Sequence, residues 1–329
     1  MRPRVFVTQP VAESAIARLR SVADVTVNPD ASRALTKDEL LAAARAHDIF
    51  YCLLLDRVDR DVVMANERLR MIATMTITPP AIDVAAATER RIPVTVIPAS
   101  MLYDATADIT WSLLMAVARR VVEGDKLVRE GVFPGAQSSY LLGRGVTGKV
   151  LGLVGVGGIG RAVARRARGF LMRILYHDPR PVPEDEAREL GLTRAPLDEV
   201  LAQSDFVSIH ASLTPETRHL IGAREIGLMK PTAFLINAAR GPIVAEDALV
   251  RALAERRIAG AGLDVFEHEP KIDPKLLEMP NAVFTPHVGS AVGELREAMA
   301  NVVVDNIFAV LDGKQPPNCW NPEIYAGAK

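Results

Sequence analysis

The sequence predicts an α/β fold built from two doubly wound parallel-sheet domains, and three observations support this. Segments typical of β-strands alternate with segments typical of helices, the order expected for parallel strands joined by helical crossovers. The chain has 329 residues, about twice the length of a typical domain. The alternation also falls into two blocks, separated by a glycine- and serine-containing stretch at residues 131–148, which we expect to be a long loop or arm.

The first block contains five predicted strands, at residues 4–8, 24–28, 48–55, 70–76 and 93–97. The second block contains six, at residues 150–155, 173–177, 205–210, 233–237, 258–264 and 282–285. The strands of the second block are nearly continuous apolar runs, as expected for strands that are buried on both faces. Two longer helical patterns, at residues 104–123 and 291–311, bracket this block. We therefore expect a domain of residues 102–291 inserted into one formed by residues 1–101 plus 292–329.

The composition excludes several classes of protein. Lys and Arg number 39 against 40 Asp and Glu, giving a formal charge of -1, which does not favour nucleic-acid binding. No apolar run approaches the roughly 18 residues of a membrane span. Cys52 and Cys319 are too few for a disulfide scaffold, and the histidines lack metal-ligand spacing. We expect a soluble cytoplasmic protein with no metal site, no nucleic-acid partner and no membrane partner.

A glycine fingerprint of the form GxGxxG follows the first strand of the second block and precedes a helical run. Between a strand and a helix this motif is typical of dinucleotide binding, with the phosphates at the helix N-terminus. The first glycine permits a tight turn, the second a close approach of the pyrophosphate, and the third helix–strand packing. The predicted cofactor-binding residues of this loop are Gly155, Gly157, Gly158, Ile159 and Gly160.

An acidic residue, Asp178, ends the next predicted strand, 18 residues after Gly160. A carboxylate at this position accepts hydrogen bonds from the adenosine ribose and repels a 2′-phosphate. The sequence therefore favours NAD over NADP, although the neighbouring Arg180 keeps the use of both open.

Polar side chains follow three later strands of the second block. Arg240 comes shortly after the fourth strand, Asp264, Glu267 and Glu269 lie at or after the fifth, and His287 follows the sixth. Carboxyl ends of parallel strands share one sheet edge, where ligands bind in such folds. Taken singly, each of these residues has an ordinary structural explanation, but their convergence beside a nucleotide fingerprint favours a catalytic site.

This set of side chains suits hydride transfer to a carbonyl group. Arg240 can bind a carboxylate through two hydrogen bonds and polarise the adjacent carbonyl oxygen, and His287 can supply the proton. A carboxylate on the other ring nitrogen fixes the tautomer and favours the charged imidazole. We favour Glu269 over Glu267 for this role because Pro270 holds its backbone extended. His210, at the same edge, is expected to line the cofactor cleft or to pack.

With these residues in place, the chain resembles the D-isomer-specific 2-hydroxyacid dehydrogenases, which include glyoxylate/hydroxypyruvate reductases and phosphoglycerate dehydrogenases. The resemblance covers nearly the whole chain and is carried by DATADIT, GLVGVGGIG, LTPETRHLI, INAARG, GLDVFEHEP and TPHVGS, all between residues 104 and 290. It implies a flavodoxin-like substrate domain, a Rossmann-like NAD-binding domain and a homodimer.

The resemblance also implies roles for individual residues. Arg240, Glu269 and His287 match the family's catalytic triad. Asp264 matches the residue that holds the nicotinamide amide. Ala238 and the segment from His287 to Gly289 would line the same ring.

Two departures from the family pattern bear on the substrate. The family's carboxylate-binding loop, Ser-Val-Gly-x-Asp, corresponds here to residues 76–83, where Pro79 and Pro80 have no N–H to donate. Ile77 and Thr78 remain as candidate donors. In the arm, Ala136 stands where glyoxylate/hydroxypyruvate reductases carry Trp, so a substrate larger than glyoxylate is expected to fit.

The sequence thus predicts an NAD(H)-dependent oxidoreductase that interconverts 2-oxo acids and D-2-hydroxy acids. A related enzyme acting on another small anion is an alternative: phosphite remains open, whereas formate is disfavoured because formate dehydrogenases pair the histidine with Gln. The C-terminal binding protein corepressors share this fold, so an NAD(H)-sensing binding protein is the alternative from another class.

Overall fold

The computed structural model describes residues 2–326. Twelve strands are present in this part of the chain: β1 Arg4–Val7, β2 Asp24–Val27, β3 Ile49–Cys52, β4 Met71–Thr74, β5 Val94–Thr95, β6 Val150–Val154, β7 Arg173–His177, β8 Leu192–Arg194, β9 Phe206–Ile209, β10 Phe234–Asn237, β11 Gly260–Leu263 and β12 Ala282–Phe284. The α-helices are α1 Glu13–Val22, α2 Lys37–Ala46, α3 Arg60–Met64, α4 Val84–Glu89, α5 Tyr103–Arg119, α6 Val121–Arg129, α7 Gly158–Gly169, α8 Glu184–Leu190, α9 Leu197–Gln203, α10 Ala223–Leu228, α11 Glu246–Ala254, α12 Pro274–Leu277 and α13 Gly293–Leu311. The chain forms two compact units, unit 1 (Met1–Met101 with Ala291–Lys329) and unit 2 (Leu102–Ser290).

Unit 1 contains a five-stranded parallel sheet of order β2-β1-β3-β4-β5. This is the flavodoxin-like order, which places ligands beyond the carboxyl ends of the strands. Every residue of β3 and β4 is buried, because these central strands are apolar runs covered on both faces. The loops that leave β3 and β4 lie at the edge where ligands bind in folds of this order.

The C-terminal segment folds back onto the N-terminal part of unit 1. Helix α13 packs on α1, where Arg18 donates hydrogen bonds to Asn301 at 2.7 Å and to Asp305 at 2.5 Å. Beyond α13, the N–H of Trp320 bonds to the carbonyl of Val94 at 2.8 Å, so this segment lies beside the edge strand β5. The two stretches of sequence thus complete one core.

Unit 2 contains a seven-stranded parallel sheet of order β12-β11-β10-β9-β6-β7-β8. The order reverses between β6 and β9, as in the Rossmann fold, and dinucleotides bind at such a switch point. Apolar clusters cover both faces of the sheet. On one face, helices α5 and α7 pack together and Trp111 stacks on Phe170 with ring centroids 4.6 Å apart.

The predicted fold class is confirmed, with two corrections to the elements. Unit 2 has seven strands rather than six, because β8 is only three residues long and its last two residues are exposed, so it lacks a buried apolar run. The single helix expected over residues 104–123 is wrong. Arg120 adopts a left-handed conformation with φ 55° and separates α5 from α6.

Across residues 2–326, no helix is long and apolar enough to cross a membrane, and no three potential ligands from His, Cys, Asp and Glu are grouped around a metal position.

Candidate active site

A tight turn after β10 presents Arg240. The buried side chain of Asn237 holds this turn, since its Nδ2 donates to the carbonyl of Arg240 at 3.1 Å and its Oδ1 accepts from the N–H of Ala239 at 3.0 Å. The Arg240 guanidinium donates to the carbonyl of Ala239 at 2.7 Å. Burial lowers the pKa of Arg240, and the negative charge of Glu269 acts in the opposite direction. A half-buried cation beside a carboxylate is suited to binding an anion.

His287 and Glu269 form a hydrogen-bonded pair. The distance from Nδ1 of His287 to Oε2 of Glu269 is 2.7 Å, and Oε1 of Glu269 accepts from the N–H of Phe266 at 2.9 Å. Burial alone raises the pKa of Glu269. The hydrogen bonds from His287 and Phe266 and the nearby charge of Arg240 lower this pKa by more than burial raises it, so the net shift is downwards. An ionised Glu269 requires a proton on Nδ1, which leaves Nε2 available for proton transfer.

Asp264 folds the turn that carries His287. Its Oδ1 accepts from the hydroxyl of Thr285 at 2.6 Å and from the N–H of Val288 at 2.8 Å, and its Oδ2 accepts from the N–H of Gly289 at 2.9 Å. The N–H of His287 bonds to the carbonyl of Asp264 at 2.9 Å, and His287 has φ 53°. This left-handed conformation is uncommon outside glycine, and the buried carboxylate of Asp264 holds the turn that requires it.

The glycine loop has room on one side and close contacts on the other. Gly155 has φ 90°, and a Cβ there would lie 2.5 Å from the nitrogen of Ala211. A Cβ at Gly160 would lie 2.5 Å from the carbonyl oxygen of Gly155, and one at Gly158 would enter the ring of Tyr103. At Gly157, the residue before α7, a Cβ would meet nothing within 4 Å. The loop is therefore packed where helix and strand meet and open where a phosphate would approach the helix N-terminus.

Asp178 lies beside this loop at the end of β7. Its Oδ2 accepts from the N–H of Val156 and its Oδ1 from the N–H of Arg180, each at 2.9 Å. These bonds fix the carboxylate next to the glycine loop. The open backbone at Gly157 and the fixed charge of Asp178 fit a dinucleotide, with the phosphates on the helix and the ribose on the carboxylate.

His210 lies half-buried beneath the same loop. Its Nε2 lies 2.8 Å from Oγ of Ser208 and its Cβ lies 3.6 Å from a Cβ built at Gly160. Burial lowers the pKa of His210 to about 3. His210 is therefore neutral near pH 7 and packs under the loop, so it is poorly placed to act as an acid or base.

The predicted substrate loop lies in unit 1, after β4. Among residues 2–326, no hydrogen bond engages the N–H of Ile77 or Thr78. The hydroxyl of Thr76 donates to the carbonyl of Thr78 at 2.6 Å, and the N–H of Ile97 bonds to the carbonyl of Thr76 at 2.9 Å. The loop is thus tied down at Thr76 and leaves two adjacent donors unused.

Comparison with known proteins decides the family. Residues 111–289, more than half of the chain, match the model of the D-isomer specific 2-hydroxyacid dehydrogenase, NAD binding domain. The chain belongs to the D-isomer specific 2-hydroxyacid dehydrogenase family. This dehydrogenase is therefore a 2-oxo acid/2-hydroxy acid oxidoreductase that acts on CH–OH groups and binds a nicotinamide cofactor.

Relatives support the same assignment over the full length. The dehydrogenase is 44% identical to a glyoxylate reductase of Thermococcus gammatolerans over 98% of this chain and 97% of that protein. The solved TT0316 protein of Thermus thermophilus is 42% identical, with a TM-score of 0.89 over 96% of this chain and 99% of the other. An NADPH-dependent glyoxylate/hydroxypyruvate reductase of Sinorhizobium meliloti is 30% identical, with a TM-score of 0.78 over 97% of each chain.

Three contributors to the site in this dehydrogenase were assigned no role from sequence. Asn237 shapes the turn of Arg240, Thr285 bonds Asp264, and Glu267 binds neighbouring loops. A polar Asn ending the apolar run FLIN was a usable signal, because a buried amide must find partners. Nothing in the sequence distinguished Thr285, since a threonine at a strand end is common.

Proposed function

We propose that the dehydrogenase uses NAD(H) to interconvert 2-oxo acids and D-2-hydroxy acids, with His287 as general acid and base. The observation that carries this is the 2.7 Å bond from Nδ1 of His287 to the ionised carboxylate of Glu269. In the direction of reduction, the charged imidazole donates the proton on Nε2 to the carbonyl oxygen, and Glu269 stabilises that charge. Arg240 binds the substrate carboxylate and stabilises negative charge that develops on the oxygen.

The cofactor is proposed to bind in the domain of residues 102–291. Gly155, Gly157, Gly158, Ile159 and Gly160 would hold its phosphates, Asp178 its ribose, and Ala238, Asp264 and Gly289 its nicotinamide end. When bound, the nicotinamide supplies or accepts the hydride. The charge of Asp178 disfavours a 2′-phosphate, so we propose NAD rather than NADP, in contrast to the NADPH-dependent relative from Sinorhizobium meliloti.

The substrate is proposed to be bulkier than glyoxylate. The free N–H groups of Ile77 and Thr78, in the domain of residues 1–101 plus 292–329, are proposed as donors to the substrate carboxylate. The small Ala136, at the position where glyoxylate/hydroxypyruvate reductases carry Trp, supports aliphatic or aromatic 2-oxo acids as substrates, although several relatives are named glyoxylate reductases.

The test is NADH oxidation with glyoxylate, hydroxypyruvate, pyruvate and bulkier 2-oxo acids, repeated with NADPH. We expect the highest kcat/KM on a bulkier acid with NADH. His287→Ala should lower kcat by ~10²–10⁴, the usual contribution of a general acid, while NADH titration of the same variant shows retained binding. Near-normal turnover by His287→Ala contradicts the assigned role, and an optimum on glyoxylate contradicts the proposed substrate size.

A further inference from the structure

Glu267 bonds to two neighbouring segments in unit 2, the loop of Arg218 and His219 and the start of α11 at Glu246. We propose that Glu267 is a positioning residue that fastens the segment carrying Glu269 to the turn carrying Arg240. This inference rests on the proposed function, since it assigns Glu267 to the reaction of that site.

The first set of contacts joins Glu267 to the start of α11. Oε2 of Glu267 accepts from the N–H of Glu246 at 3.1 Å, and Oε2 of Glu246 accepts from the N–H of Glu267 at 3.0 Å. Each carboxylate therefore bonds to the other residue's backbone. Charge-assisted bonds of this kind are stronger than neutral ones, and the two bonds together fix both position and orientation.

The second set of contacts pairs the negative carboxylate of Glu267 with Arg218 and His219. Its Oε1 lies 2.6 Å from Nε2 of His219 and accepts from Nη2 of Arg218 at 3.1 Å. Only 8% of the Glu267 side chain is exposed. Burial alone raises the pKa of Glu267. The hydrogen bonds from His219 and Glu246 lower this pKa by more than burial raises it, so the net shift is downwards. A buried, ionised carboxylate with three polar partners is costly to disturb.

The loop that carries His219 is itself joined to the chain that follows Arg240. The N–H of His219 bonds to the carbonyl of Pro242 at 2.8 Å, and that of Ile221 to the carbonyl of Ile243 at 3.1 Å. Glu267 therefore closes a ring of contacts among the 218–221 loop, residues 242–246 and its own segment.

The same segment touches both proposed catalytic turns. A Cβ at Gly241, next to Arg240, would lie 1.9 Å from the carbonyl oxygen of Phe266 and 2.5 Å from the nitrogen of Glu267. On the other side, the N–H of Phe266 bonds to Glu269 at 2.9 Å. A small shift of this backbone would therefore move Arg240 and Glu269 together, and catalysis is sensitive to shifts of this size.

The test compares Glu267→Gln with Asp198→Asn, which removes the charge from an exposed ion pair with Arg224 elsewhere in unit 2. In Glu267→Gln, an NH2 group replaces one carboxylate oxygen and cannot accept a hydrogen bond. Either the bonds to Arg218 and His219 or the bond to Glu246 is therefore lost. We expect kcat/KM for the 2-oxo acid to fall about 10- to 100-fold, with part of the loss in KM. The Kd for NADH should stay within about twofold, and Asp198→Asn should resemble the natural protein.

A proton NMR measurement separates positioning from general loosening. In the natural protein, the Nδ1 proton of His287, shared with Glu269, should give a low-field resonance, assigned by its loss in His287→Ala. We expect Glu267→Gln to broaden or shift this resonance and Asp198→Asn to leave it in place. An unchanged resonance together with an unchanged kcat/KM overturns the inference.

A second pair of variants covers the case in which Glu267→Gln does not fold. His219 is exposed, and His219→Gln keeps a donor for Oε1 of Glu267 whereas His219→Ala removes it. We expect His219→Ala to show the same losses in smaller measure and His219→Gln to restore most of them. Equal behaviour of the two variants contradicts the proposal. If His287→Ala is fully active, the proposed function fails instead, whatever the Glu267 variants do.

Discussion

At the scale of single residues, the site depends on which partners its three neighbouring carboxylates bond. Glu269 and Glu267 are two positions apart, yet one bonds His287 and the other bonds His219 and Arg218. Asp264, just upstream, bonds three groups of the 285–289 turn. A single short segment therefore supplies the carboxylate beside the proposed general acid and the carboxylate that folds its turn.

Replacing Glu269 should change the pH dependence of catalysis. Hydrogen bonds outweigh burial and keep the pKa of Glu269 below its usual range, so this carboxylate is negative at neutral pH. In Glu269→Gln this negative charge, 2.7 Å from Nδ1 of His287, is replaced by a neutral amide, and a nearby negative charge is one of the causes that set the pH range of a general acid. We expect the alkaline limb of the kcat/KM profile for 2-oxo acid reduction to move down by about 1 unit or more. A steady-state pH profile checks this, with Glu278→Gln, an exposed glutamate on the surface, as control. An unmoved alkaline limb would remove Glu269 from the mechanism.

The sequence predicted these residues unevenly, for a physical reason. Arg240, Asp264, Glu269 and His287 could be grouped because each follows a predicted strand, and parallel topology brings strand ends to one edge. The roles of Asn237 and Glu267 depend on turn geometry and on hydrogen bonds between distant loops. The run FLIN indicates a buried, hydrogen-bonded amide at Asn237, but no local pattern shows which groups the side chains of Asn237 and Glu267 bond.

At the scale of elements, buried strands were easier to predict than edges and breaks. The central strands β6, β9 and β10 are largely apolar runs buried throughout or nearly so, and such continuous runs are typical of strands covered on both faces. The edge strand β8 and the break at Arg120 carry no such pattern. The most informative element is the start of α7. There Gly160 is packed against the strand side of the loop, whereas Gly157, just before the helix, is open to an approaching ligand.

A matched pair of glycine variants tests that separation. A Cβ at Gly157 meets nothing within 4 Å, whereas one at Gly160 lies 2.5 Å from the carbonyl oxygen of Gly155. Gly157→Ala should keep the Tm of the cofactor-free protein and raise the Kd for NADH about tenfold, equivalent to ~1.4 kcal/mol. Gly160→Ala should lower Tm, because overpacking costs about 1–3 kcal/mol. Thermal unfolding and fluorescence titration distinguish the two, and the opposite assignment of effects would contradict the proposed phosphate site.

At the scale of the whole molecule, the apolar surface is unevenly distributed. Large exposed hydrophobic side chains are concentrated in residues 121–142, the segment comprising α6 and the arm that follows it. They include Val128 at 62%, Phe133 at 78% and Leu142 at 65% exposure. Single exposed hydrophobic residues are ordinary, but a concentration of them marks an interaction site. Because the resemblance to the family implies a homodimer, we propose that a second copy of the chain covers this segment.

The oligomeric state tests this implication directly. Sedimentation equilibrium should give a mass about twice the 35.6 kDa of one chain. Combining Phe133→Asp with Leu142→Asp places two charges in the apolar segment, where their burial against a second copy would be unfavourable, and should yield monomers with an unchanged circular dichroism spectrum. Leu171→Asp is the matched control, because Leu171 is 75% exposed but lies outside the segment, and this variant should remain dimeric. A monomeric natural protein, or a double variant that still sediments as a dimer, would show that the 121–142 surface does not join two copies of the chain.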